Sequence, residues 1–123
     1  MLQAAITALE IRGADEGETD WSQVTQLYSA LAAMRPSPVV ELNRAAAVGF
    51  ADGPQAGLLV LAPLLTDPRL ENYQPLYATQ ADLLRRVGKY TDATAAYSRA
   101  MELTANEIER AELLRRKRTL VAN

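Results

Sequence analysis

The sequence contains no cysteine and no histidine among its 123 residues. Those two absences together remove disulfides, thiol nucleophiles, the usual zinc ligands and imidazole acid–base catalysis. Aromatic residues are scarce, with one Trp, one Phe and five Tyr. Seven Val and three Ile leave little from which to build a pleated sheet. No apolar run reaches 18 residues, so hydropathy gives no membrane-spanning helix. The amino end lacks the charged-then-apolar pattern of a signal peptide. Charge of either sign is nearly balanced, 13 basic against 15 acidic side chains, so no global field draws in nucleic acid.

What is abundant is Ala and Leu, 22 and 18 residues, a third of the chain. Both cost little in a helix. Folding a chain of this length hides about two-thirds of its unfolded surface, enough for one domain over 1–123. The expectation is a soluble, cytoplasmic, all-α domain.

Pro and Gly punctuate the chain into seven segments of helical length. Leu2, Ile6 and Leu9 mark the first, which stops near Gly13, and an acidic loop with Asp15, Glu16 and Glu18 follows. Asp20 reads as an N-cap with Gln23 completing a capping box, ahead of a stripe of Trp21, Val24, Leu27, Tyr28, Leu31 and Met34. Ser37 and Pro38 open the third segment and Pro54 the fourth, in which Pro63 should bend or shorten the helix. Pro75 opens the fifth, Gly88-Lys89-Tyr90-Thr91 turns into a sixth from Asp92 to Leu103, and Asn106 with Glu109 caps the seventh.

These segments repeat. Leu27 and Ala30 correspond to Leu61 and Leu64, 34 residues on, and then to Tyr97 and Ala100; Ala45 and Val48 correspond to Ala81 and Leu84. Ala81, Gly88, Tyr90, Ala93, Tyr97 and Ala100 fall at the tetratricopeptide (TPR) spacings for small residues, a turn Gly and aromatics. Gly57 stands where that repeat usually has Ala. A right-handed TPR-like superhelix is expected, with three hairpins (about 2–35, 38–66 and 73–104) and a capping helix over 107–121. Each hairpin needs a neighbour to cover its apolar face, and the last helix must be polar outside. Ile108, Leu113, Leu114 and Leu120 would form its inner stripe.

Chemistry-bearing clusters are few. The acidic loop lacks the ordered spacing of a calcium site, and the glycines never gather into a phosphate-cradling loop. Arg115, Arg116, Lys117 and Arg118 read as complements to the last helix's dipole rather than a phosphate patch. No catalytic, cofactor or metal residues are assigned, and the chain reads as a non-enzyme. First helices of such repeats line an inner groove, which nominates Asn43, Arg44 and Phe50 in the third segment and Thr79, Asp82, Arg85 and Arg86 in the fifth as partner-binding residues. An Asn amide donates to and accepts from a peptide backbone at once, and Arg pairs with a partner carboxylate.

The stretches Leu2-Gln3-Ala4-Ala5-Ile6, Thr19-Asp20-Trp21, Pro36-Ser37-Pro38-Val39-Val40-Glu41-Leu42-Asn43-Arg44-Ala45, Asp52-Gly53-Pro54 and Ala81-Asp82-Leu83-Leu84-Arg85-Arg86-Val87-Gly88 together resemble one family. It is the carboxy-terminal TPR-like extension of bacterial extracytoplasmic-function RNA polymerase sigma factors. Ala46-Ala47-Val48-Gly49-Phe50 departs from the more Val/Ala-rich run usual there. The resemblance implies a fragment or free-standing relative of a protein whose amino-terminal domains bind core polymerase and read promoters. It implies regulation through protein partners: the chain's own sigma domains, the polymerase core or a regulator, without direct nucleic-acid or membrane contact. A general TPR adaptor binding a peptide or helix outside transcription is the alternative, and the oligomeric state is left open.

Overall fold

The computed structural model describes residues 20–122, all of them in helices, turns or short connections, with no strand among them. The first expected helix lies outside the described residues. Six α-helices follow: α1 (Trp21–Met34), α2 (Pro38–Ala51), α3 (Pro54–Leu61), α4 (Gln74–Arg86), α5 (Tyr90–Leu103) and α6 (Glu107–Ala122). Two 3-10 segments, Ala62–Thr66 and Pro68–Leu70, lie between α3 and α4. The chain divides into two compact units, the first ending at Leu61 and the second starting at Ala62.

In the first unit α1 packs on α2 and α2 on α3. Asp20 caps α1 by accepting from the Gln23 N–H at 3.1 Å, and Ser37 caps α2 by accepting from the Val39 N–H at 3.2 Å. Pro38 at the first turn lacks only a donor that would be unpaired there. Val24, Tyr28 and Ala47 form a buried cluster, with Trp21, Leu27, Leu31 and Val40 against it. Met34 closes the expected stripe yet is 72% exposed, at the last position of α1. Gly53, at φ +102°, supplies the left-handed turn between α2 and α3. Gly57 then brings α3 against α2: a Cβ there would stand 2.9 Å from the Ala45 carbonyl oxygen and from Gly49 Cα.

Pro63 shortens the fourth expected segment rather than bending it. With no N–H to offer and a ring that crowds the preceding turn, it ends α3 at Leu61, and the chain winds on as a 3-10 segment. A second 3-10 turn follows Asp67. Asp67 caps it, accepting from the Arg69 N–H at 2.9 Å, and Leu70 is buried.

In the second unit α4 packs on α5 and α5 on α6. Gly88, at φ +86°, ends α4 in a Schellman turn: its N–H donates to the Arg85 carbonyl at 3.1 Å, and Lys89 N–H donates to the Leu84 carbonyl at 2.9 Å. α5 therefore starts at Tyr90, two residues earlier than the sequence suggests, and the Tyr90 ring is exposed. Ala81, Ala93, Ala96 and Ala100 are all buried, which fits small residues where helices cross closely, and the large Tyr97 ring is buried with them. The box before α6 forms by half. Asn106 accepts from the Ile108 and Glu109 N–H groups, but Glu109 reaches past Asn106 to take the Thr104 hydroxyl at 2.7 Å. Leu113 and Leu120 are buried beneath α6, whereas Ile108 is 82% exposed and belongs to the outer face.

Candidate functional site

The nominated residues fall on α2 and α4, the first helices of successive hairpins by sequence register. On α2, Arg44 is engaged with its own helix. Its Nε donates to Glu41 Oε1 at 3.1 Å and its Nη2 to Glu41 Oε2 at 2.9 Å, a two-pronged grip on one carboxylate. Phe50 stacks one face on Trp21, with ring centroids 4.5 Å apart, yet stays 54% exposed. Asn43 is half-buried, and its amide bonds to no other described residue.

On α4, Thr79 occupies the position equivalent to Asn43, half-buried and likewise without a side-chain partner among the described residues. Asp82 and Arg85 are instead spent inside the unit. Tyr97, whose side chain is fully buried, donates its hydroxyl to Asp82 Oδ1 and accepts from Arg85 Nε at 3.1 Å. Asp82 Oδ2 accepts from Arg116 Nη1 at 2.9 Å. One aspartate on α4 thus bonds to both α5 and α6. Arg86 is exposed at the end of α4.

The network extends along α6. Glu112 accepts from Arg115 and Arg116 together, the latter from Nε at 3.0 Å. Hydrogen bonds from Arg115 and then from Arg116 hold the Glu112 carboxyl down at about 2. A carboxylate whose folded value is depressed stabilises above its ordinary range and loses that contribution as it is protonated. Stability should therefore fall as pH drops from about 4.5 towards 2, and melting temperature measured across that window should fall less steeply in Glu112→Gln. For Tyr97, burial is the first cause and the bond to Asp82 the second of a shift that pushes the phenol up to about 12.

This polar network was not anticipated from the sequence. Arg115 to Arg118 were expected to serve the helix end. However, α6 runs on to Ala122, so they lie short of its last turn, and Arg115 and Arg116 bind carboxylates instead. Arg110 was also missed. It reaches back to α5, donating from Nε to the Met101 carbonyl at 3.4 Å and from Nη2 to the Thr104 carbonyl. Arg99 lies over the Tyr77 ring, 5.4 Å from its centroid, and donates to Asn72 Oδ1 at 3.2 Å. The Asp82–Arg85 spacing on one helix face was the available clue, but only the fold brings Tyr97 and Arg116 to it.

No group of three or more acidic side chains able to hold a metal ion occurs among the described residues. Asp20 is a helix cap, and Asp15, Glu16 and Glu18 lie outside the described residues. No described helix is long and apolar enough to cross a membrane.

Compared with known proteins, the chain is similar to an uncharacterized protein of Rhizobium meliloti (strain 1021). The two are 41% identical over 110 residues, which cover 89% of this chain and 26% of that protein. The chain therefore spans about a quarter of that relative's length. No family model matches the sequence, and no solved structure matches it.

Proposed function

We propose that the chain is a non-catalytic protein-interaction module of an extracytoplasmic-function type RNA polymerase sigma factor. It would act in the cytoplasm by offering the outward polar positions of TPR-like first helices to the polymerase, a regulator or the sigma domains themselves. The observation that carries this reading is the state of Asn43. The run Ser37-Pro38-Val39-Val40-Glu41-Leu42-Asn43-Arg44-Ala45 carries the most specific part of the family resemblance. Ser37 caps α2, Glu41 and Arg44 grip each other, and Leu42 and Ala45 are buried. Asn43 is the one polar residue of the run whose side chain has no internal task. Thr79 repeats that situation on α4, 36 residues on, with a hydroxyl free to meet a partner's polar groups.

Two further facts support the proposal. The relative carries its matching segment as about a quarter of a longer chain, as a module would be carried. Arg44 and Arg85, the cations that a carboxylate clamp would need, are engaged by Glu41 and Tyr97, which weighs against a peptide-terminus adaptor.

In reconstituted transcription with the intact sigma protein, Asn43→Ala and Thr79→Ala should each lower promoter-dependent output several-fold while leaving helical circular dichroism unchanged. Output equal to the parent's in both variants would defeat the assignment.

A further inference from the structure

We propose that the outer face of α6 is a self-association surface, through which two copies of the chain pair antiparallel about a two-fold axis near Ala111. Ile108 projects from this face at 82% exposure. One turn on, Ala111, Leu114, Arg115 and Arg118, with Thr119 beside them, line a shallow depression of about 490 Å³. The spacing 111, 114, 115, 118 is the i, i+3, i+4, i+7 diamond that forms the hole of a knobs-into-holes contact. One helix thus carries both a knob and a hole. A two-fold axis uses both at once, since an isologous interface brings each patch against its own copy.

Charge selects the antiparallel direction. On α6 the acidic residues Glu107, Glu109 and Glu112 precede the basic run Arg115, Arg116, Lys117 and Arg118, with Arg110 the one cation among them, already paired with Glu107. With the axis at Ala111, Ile108 enters the hole on the partner, and Glu107 comes within reach of the opposing Arg115 and Arg118. The small Ala111 side chains meet at the crossing. A parallel pairing would set like charges side by side instead. Arg118 has no partner among the described residues, and Arg115 keeps most of its side chain exposed while bound to Glu112. Glu107, which meets Arg110 on its own helix, is 81% exposed. A contact along one helix of about 24 Å is small for a permanent dimer, so the equilibrium is reversible and concentration-dependent.

Sedimentation equilibrium of the full chain from about 10 μM to about 1 mM should show monomer passing to dimer. Ile108→Asp, at an exposed position where the fold is unaffected, should weaken the dimer at least about tenfold. Arg118→Glu and Glu107→Lys should each weaken it, and the two combined in one chain should restore it. A wild-type chain that stays monomeric throughout overturns the proposal, as does an unchanged dimer in Ile108→Asp. Failure of the combined charge reversal to recover association overturns the antiparallel pairing.

Discussion

Tyr97→Phe should destabilise the protein by about 1–2 kcal/mol, and Tyr97→Ala by about 3–5 kcal/mol, measured as shifts in the urea midpoint. The phenylalanine keeps the buried ring but removes the hydroxyl that donates to Asp82 and accepts from Arg85. A hydrogen bond to a charged group is worth more than a neutral one. The Phe variant stays below that full value because Asp82 retains Arg116 and keeps some contact with water. The alanine adds a cavity where the largest fully buried side chain had been. A Phe variant as stable as the parent would show that the hydroxyl is idle. The same phenol gives a spectroscopic check. The Tyr97 phenol should resist ionisation until about pH 12, and that late step should be lost in Tyr97→Phe. Because its folded value lies above the ordinary 10, its contribution is full below pH 10 and is lost as pH climbs towards 12.

Gly57→Ala should also destabilise, by about 1–2 kcal/mol, and Gly57→Val by about 3 kcal/mol or more. Two effects oppose each other. Alanine improves the helix by up to about 1 kcal/mol relative to glycine. The added Cβ, however, would stand 2.9 Å from the Ala45 carbonyl oxygen and from Gly49 Cα. Both are backbone atoms of α2 and cannot swing aside as a flexible side chain would, so α3 must move off and loosen the contact along its length. Overpacking of this kind costs about 1–3 kcal/mol and outweighs the propensity gain. Urea denaturation reads the balance directly. A more stable Gly57→Ala would mean that the two helices cross farther apart than described.

Local chemistry made most of the described helices readable beforehand. Asp20, Ser37, Pro38 and Pro54 mark starts because capping and the missing proline donor act within one turn. Pro63 and Gly88 mark stops for equally local reasons. Side-chain partners were less readable. Arg85 and Asp82 looked outward by register, yet the buried Tyr97 hydroxyl needed partners of its own and took them. Ile108 followed the apolar pattern inward on paper, but Leu113 and Leu120, seven residues apart, set the buried direction of α6 and leave Ile108 on the far side. Such choices are made between helices, where sequence spacing says which residues share a face but not which face is covered. Asn43 illustrates the converse. Its neighbours along α2 had internal roles that the sequence only hinted at, and it stands out once those roles are filled.

Arg110 reaches back from the penultimate helix's successor to the open carbonyls of Met101 and Thr104. The finishing of α5 is therefore written some seven residues beyond its end. While the chain is being made, α5 can coil as soon as it emerges, but its final turn frays until Arg110 has followed it out. Completion of α5 thus waits on a residue of the helix synthesised after it.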